Sequence, residues 1–135
     1  MRKLLLVALA GLAFSAGPAG AAPTVGLTIL HVVANCHVWA TAALKELGPN
    51  AAITVTHGTR VAIRPNCPMD FDFAQLKGPK LALGDPRTYR GSARTLVFAK
   101  RGTYVLRVVN VQTPEEAGLQ VLGEPNVLTL TVRAT

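Results

Sequence analysis

Four side chains in the sequence carry the nitrogen and sulfur atoms that soft metal ions prefer. Cys36 and His37 are adjacent, and Cys67 and Met69 form a second pair further along the chain. Thiolate, imidazole and thioether ligands together suit Cu(I). One interpretation of this pattern is therefore a copper or zinc site that uses all four side chains.

The other interpretation of the two cysteines is a disulfide. The chain has two cysteines, Cys36 and Cys67, and alternation along their predicted strands places both on the apolar face. In an oxidising compartment such a pair most simply forms a bond. A regular strand would also point Cys36 and His37 to opposite faces, which weakens the metal interpretation. The Cys36–Cys67 disulfide is thus the favoured prediction, with metal binding as the alternative.

The remaining candidate groups do not form a catalytic set. His31 and His37 lie six residues apart in the sequence, which is about 20 Å along one extended strand, so we expect them not to share an ion. Asp70 and Asp72 share a strand face, but nothing near them completes an acid–base or nucleophilic set. The sequence has no P-loop or dinucleotide fingerprint. It predicts a protein that is not an enzyme.

The N-terminus predicts export. Arg2 and Lys3 precede an apolar run, Leu4–Phe14, and a small-residue stretch with an Ala-x-Ala site follows. These are the parts of a cleavable signal peptide, predicted over residues 1–22. The apolar run is too short to span a bilayer. The predicted mature chain, residues 23–135, is long enough for one domain, secreted or located in the periplasm or cell envelope.

Period-two alternation predicts an all-β domain. Thr28–Trp39 alternates as one strand, Cys67–Phe73 as another, and Leu128–Val132 as the last. Six to eight short strands with turn signals between them are typical of a Greek-key β-sandwich. No long apolar run that could cross a membrane follows the signal peptide.

Two short helical turns are predicted beside the strands. Thr41–Leu47 is rich in Ala and Leu and is followed by a Gly-Pro stop, and Thr113–Glu116 has a capping-box pattern. Trp39 shares the polar face of its predicted strand. It is either an interface anchor or, as the favoured interpretation, is covered by Thr41–Leu47.

Basic residues are concentrated in one segment of the chain. The net charge is +7 for the full sequence. A long predicted loop, Gln75–Ala93, the strand after it and the following turn carry seven of the cations: Lys77, Lys80, Arg87, Arg90, Arg94, Lys100 and Arg101. We expect a contact surface for an envelope component, an acidic protein or a polyanion, the alternative being a solvated loop. Aromatic residues are not interleaved with the charge, which argues against nucleic acid.

Two segments resemble parts of the cupredoxin family. Ile53–Ile63 resembles the strand–turn–strand that opens the metal-site half of cupredoxins, where a V-x-x-G-x-x-V pattern precedes an Asn-rich loop, here Pro65–Phe71. Thr95–Leu106 resembles the later F-x-x-x-G-x-Y strand pair. Gly102-x-Tyr104 also resembles the tyrosine corner of immunoglobulin-like sandwiches. The resemblance implies a cupredoxin-like Greek-key sandwich, with an immunoglobulin-like one as the alternative.

The sequence departs from the cupredoxins at the copper ligands. A type-1 site needs two His and one Cys with a weak axial ligand, and the family places most of them after the Tyr strand. Here Asp70–Asp72 follows the Asn-rich loop, and no Cys, His or Met follows Tyr104. The resemblance therefore implies a cupredoxin-like shell without the type-1 centre. We expect this shell to be a non-enzymatic binding or structural module that has no cofactor. The alternative is a copper chaperone or sensor that uses Cys36, His37, Cys67 and Met69.

Overall fold

The structure, a computed structural model, describes residues 22–32, 37–67, 69–111 and 127–135. Within these ranges the secondary structure consists of ten strands: β1 Thr24–His31, β2 His37–Thr41, β3 Glu46–Gly48, β4 Asn50–Val55, β5 Arg60–Asn66, β6 Asp70–Lys77, β7 Arg87–Thr88, β8 Arg94–Val97, β9 Gly102–Val111 and β10 Val127–Ala134. No helix in the described ranges could cross a membrane. Most of the predicted signal peptide, together with Cys36 and Thr113–Glu116, lies outside the described residues.

The strands form two five-stranded sheets. Their orders are β3-β2-β1-β5-β8 and β4-β10-β9-β6-β7. Each sheet contains one parallel pair, β1–β5 in the first and β4–β10 in the second, among antiparallel neighbours. The predicted all-β sandwich is confirmed. Immunoglobulin domains are built from two antiparallel sheets, so the mixed pairing favours the cupredoxin-like interpretation.

The core lies between the two sheets and follows the alternation of the strands. In β9, Tyr104, Leu106 and Val108 are buried, as alternating residues of β10 are. Trp39 of β2 is also fully buried, and its indole N–H donates to the Thr129 carbonyl of the opposite sheet at 3.0 Å. Its predicted burial is confirmed, but between the sheets rather than under Thr41–Leu47.

The tyrosine-corner contact is present at the start of β9. The Tyr104 hydroxyl donates to the Lys100 carbonyl at 2.6 Å, and the Tyr104 ring packs edge-on against Phe98. This bond joins the end of the β8–β9 turn to the core.

The prediction of one strand over Thr28–Trp39 is wrong. β1 ends at His31, β2 begins at His37, and the two strands run antiparallel with His31 opposite His37. The phase of the alternation is the same in both strands, because Ile29 is opposite Trp39 in the same ladder. The period-two alternation of apolar residues therefore continues from β1 into β2. No Gly or Pro between His31 and His37 indicates that the chain reverses there.

The predicted helical turn at Thr41–Leu47 is also wrong. The segment is a tight reversal in which the Leu44 N–H donates to the Thr41 carbonyl and the Thr41 N–H donates to the Lys45 carbonyl. Leu44 has a φ of 65°, in the left-handed region that suits reversals rather than helices. Pairing of β3 with β2 outweighs the local helix propensity of Ala and Leu.

Arg94 organises the predicted loop Gln75–Ala93. Its guanidinium donates to four oxygens: the carbonyls of Leu83, Asp85 and Arg87 and the hydroxyl of Thr88. The guanidinium carbon also lies 5.0 Å from the centre of the Phe73 ring. Burial lowers the pKa of Arg94. The segment is thus held to the body of the domain, and its β7 pairs with β6.

We expect Arg94→Ala to lower the free energy of unfolding by about 2–3 kcal/mol, because several carbonyls lose their donor together. Arg94→Lys should lose most of the same stability, since one ammonium cannot reproduce a planar fork of donors. Urea unfolding followed by the fluorescence of Trp39 measures both effects. Arg101→Ala, at an exposed turn, is the control and should change stability by less than about 0.5 kcal/mol. Full stability in Arg94→Lys would contradict the structural role of the guanidinium.

Candidate metal centre

Side chains with metal-binding chemistry lie at one end of the sandwich, which we call the donor end. It consists of His31, His37, Cys67, Met69 and Asn110. His37 and Phe71 connect the two sheets here, with ring centres 5.3 Å apart in an edge-on contact. Asn110 of β9 contacts Met69, which precedes β6. The donor end therefore draws on strands from both sheets.

The two histidines form a cross-strand pair. Their ring centres lie 5.4 Å apart with an angle of 69° between the ring planes. The expected separation of about 20 Å is wrong, because the chain reverses between them. His37 is only 1% exposed, whereas His31 is exposed. One imidazole is thus held between the sheets and its partner reaches the surface.

Parallel pairing brings Cys67 to the same end. Leu30 of β1 pairs with Asn66, the last residue of β5. His31 and Cys67 each follow that pair by one residue, at the ends of adjacent strands. Cys67 is half-buried and packs against the edge of the hydrophobic core.

Met69 and Asn110 complete the donor end from the second sheet. The Asn110 amide donates to the Met69 sulfur at 3.2 Å. Asn110 is 7% exposed, and its side-chain oxygen has no hydrogen-bond partner among the described residues. Met69 also packs against the core. A polar amide and a thioether therefore lie together where the β-pattern otherwise places apolar residues.

Three of the four ligands predicted from the sequence, His37, Cys67 and Met69, are found at the donor end, and Cys36 lies outside the described residues. Sequence reasoning missed Asn110 and excluded His31. Among the described residues no three His, Cys, Asp or Glu side chains form a metal-binding group. The donors that are present, imidazole, thiol and thioether, match the chemistry of Cu(I).

Cys67 carries a free thiol in the structure, so the predicted Cys36–Cys67 disulfide is not confirmed. Burial raises the pKa of this thiol to about 11, although a hydrogen bond from the Met69 backbone acts in the opposite direction. At neutral pH the side chain is therefore a protonated thiol, and it would have to lose its proton to bind a metal ion.

The carboxylates beside the donor end are bound by arginines. Asp72 accepts two hydrogen bonds from Arg87, at 2.8 and 3.0 Å, which hold the pKa of its carboxyl below the usual value. Asp70 accepts from the Arg90 backbone at 2.7 Å. Both carboxylates thus take part in ordering the following segment, and nothing at them resembles an acid–base pair.

The predicted basic surface is divided by the structure. Arg87, Arg90 and Arg94 make the internal contacts described above. The other four cations are exposed and lie near the start of β9, at the end of the domain opposite the donor end: Lys77, Lys80, Lys100 and Arg101. We call these four the basic end.

Two glycines bring the halves of the basic end together. A Cβ atom at Gly78 would lie 2.6 Å from the Thr103 carbonyl oxygen, and one at Gly102 would lie 3.2 Å from the Pro79 ring. The segment that carries Lys77 and Lys80 therefore packs directly on the start of β9, next to Lys100 and Arg101.

Solved structures with a similar fold include copper proteins. The copper protein rusticyanin is 14% identical to this chain, with a TM-score of 0.43 over 86% of this chain and 79% of the rusticyanin chain. Reduced rusticyanin is 14% identical, with a TM-score of 0.42 over 87% and 82%. A multi-copper oxidase from Pediococcus acidilactici is 18% identical, with a TM-score of 0.39 over 83% of this chain and 25% of the oxidase.

No family model matches the sequence, and no curated protein matches it. At these identities and TM-scores, the similar structures concern the fold alone. No ligand or residue role is transferred from them to this chain.

We expect iodoacetamide at pH 8 to alkylate Cys67 about 100-fold more slowly in the folded protein than in urea. The reason is that the thiolate fraction falls by about that factor when the thiol pKa rises from 9.0 to about 11. Peptide mapping by mass spectrometry gives the rate at Cys67 in each state. Equal rates would contradict the raised pKa, and no alkylation in urea without reductant would instead reveal the disulfide.

Proposed function

We propose that this chain is an exported, non-enzymatic domain that binds Cu(I) at the donor end of a cupredoxin-like sandwich. The observation that carries the proposal is the convergence of His37, Cys67 and Met69, from three separate strand ends, on one end of the core. Cys36, adjacent to His37 in the sequence, is the fourth candidate ligand.

The charge of these ligands supports a monovalent ion. Cys67 would supply one thiolate after losing its proton, while His37 and Met69 would bind as neutral groups. One thiolate neutralises one Cu(I), so no net charge is left in a partly apolar site. Burial of an uncompensated charge is costly, which favours Cu(I) over a divalent ion among these three ligands.

The neighbours of the ligands also fit a binding site. Phe71 holds the His37 ring by an edge-on contact. The amide of Asn110 donates to the Met69 sulfur, which orients the thioether in the absence of metal. A bound ion would compete with that hydrogen bond, and Asn110 would then act as a neighbour of the site rather than as a ligand.

The role we propose is binding and delivery of copper rather than electron transfer. A type-1 centre needs two His and one Cys in a trigonal set. The ligands proposed here contain two sulfur atoms and one imidazole, and the sequence after Tyr104 contains no Cys, His or Met. A site of this composition favours Cu(I) and suits a chaperone or sensor.

Competition with a chromophoric Cu(I) chelator under anaerobic, reducing conditions tests the proposal. We expect the wild-type chain to bind one Cu(I). Cys67→Ser should weaken binding more than 100-fold, and Met69→Leu, which conserves volume, about 10-fold. His57→Asn is a matched control, because His57 lies in a turn and its ring contacts Thr135 at the opposite end of the domain. Unchanged affinity in both Cys67→Ser and Met69→Leu would overturn the proposal.

A second function is supported by the basic end. We propose that Lys77, Lys80, Lys100 and Arg101 form a contact surface for an acidic partner protein or polyanion of the envelope. All four are exposed, and the described residues show no ion pair to any of them. Such a surface acts mainly through charge and is weakened by salt.

Binding to polyglutamate at increasing salt tests this contact surface. We expect the double variant Lys80→Glu and Lys100→Glu to bind at least 10-fold more weakly than wild type at low salt. Arg64→Glu and Arg107→Glu, made together on exposed mid-strand positions of β5 and β9, give a control with the same net charge. Equal losses in the two double variants would show a general charge effect and contradict a localised surface.

A further inference from the structure

We propose that His31 and His37 form a two-imidazole site for a divalent transition-metal ion of the Zn²⁺ class at the rim of the donor end. This site uses neither sulfur atom of the proposed Cu(I) site. The two proposed sites share His37, but His31 belongs only to this one and Cys67 and Met69 only to the Cu(I) site, so variants of those residues test the two proposals separately.

Strand pairing fixes the positions of the two histidines. They are direct partners in the antiparallel ladder of β1 and β2. Directly opposite side chains in such a ladder leave the sheet on the same face, with Cβ atoms about 4.5–5.5 Å apart. The backbone hydrogen bonds between β1 and β2 thus hold the two rings next to each other.

The separation of the rings fits a shared ion. Zinc–nitrogen bonds are about 2.0–2.1 Å long in tetrahedral sites, which places two coordinated rings with their centres about 5 Å apart. The observed separation is 5.4 Å. Rotation of the exposed His31 side chain would turn one of its nitrogens towards the His37 ring, while His37 and the strands stay in place.

The difference in exposure gives each histidine a distinct role. His37 is fixed between the sheets by its contact with Phe71, so it provides a rigid ligand. His31 is exposed, so it can meet an incoming ion first. Neutral imidazole is a good ligand for Zn²⁺ and Cu²⁺, and an ion held at the rim would keep positions open to water or to a partner's ligand.

A titration of the full chain with Zn²⁺, followed by NMR of the imidazole nitrogens, tests this site. We expect Zn²⁺ to shift the ring nitrogens of both His31 and His37. His31→Asn should weaken Zn²⁺ binding at least 10-fold, as expected when a ligand is lost. Since His31 is exposed, this variant should fold normally, which circular dichroism checks. His57→Asn, at the other end of the domain, should bind as wild type.

Cys67→Ser separates this proposal from the Cu(I) site. We expect this variant to lose Cu(I) affinity and to keep Zn²⁺ binding with the same shifts at both histidines. Unchanged Zn²⁺ affinity in His31→Asn would overturn the two-imidazole site, as would loss of Zn²⁺ binding in Cys67→Ser. These two Zn²⁺ results leave the Cu(I) proposal untouched. The Cu(I) proposal fails on a different result, which is unchanged Cu(I) affinity in both Cys67→Ser and Met69→Leu.

Discussion

The parallel pairing of β1 with β5 at the centre of the first sheet determines where the proposed metal ligands lie. Parallel strands end at the same edge of a sheet, so His31 and Cys67 emerge together after Leu30 and Asn66. The β1–β2 ladder then adds His37 at the same level. From the second sheet, Phe71 contacts the His37 ring, and Met69 lies beside Asn110. Ligands distant in the sequence are thus collected by backbone pairing.

Arg87 and Arg90, which bind the carboxylates of β6, also affect which metal-binding groups remain at the donor end. Asp70 immediately follows Met69, and a free carboxylate there would offer a hard oxygen ligand to Mg²⁺ or Ca²⁺. Asp70 and Asp72 instead accept hydrogen bonds from Arg90 and Arg87, which hold the segment that follows β6 in place. The proposed metal ligands, His37, Cys67 and Met69, are soft or borderline donors, so the contacts that order the following segment also remove competing carboxylates from the proposed site.

Much of the fold could be predicted from alternation, because strands such as β9 and β10 each have one face against the core. The reversal between His31 and His37 could not, since two strands that alternate in the same phase look like one longer strand when no Gly or Pro separates them. The helix propensity of Thr41–Leu47 was likewise overruled by pairing with β2. These errors explain why the His31–His37 contact was missed. The candidates His37, Cys67 and Met69 were chosen by residue type, which does not depend on the course of the chain.

A disulfide and a copper site would compete for the same sulfur atom of Cys67. Oxidation proceeds through the thiolate, and burial raises the pKa of this thiol to about 11. The population that could be oxidised at neutral pH is therefore small. Cu(I) binding at the proposed site would displace the proton, and metal–sulfur bonding would offset the cost of ionising the thiol. Partial burial of Cys67 thus disfavours the thiolate that oxidation requires, and the thiol stays available for the proposed metal ion.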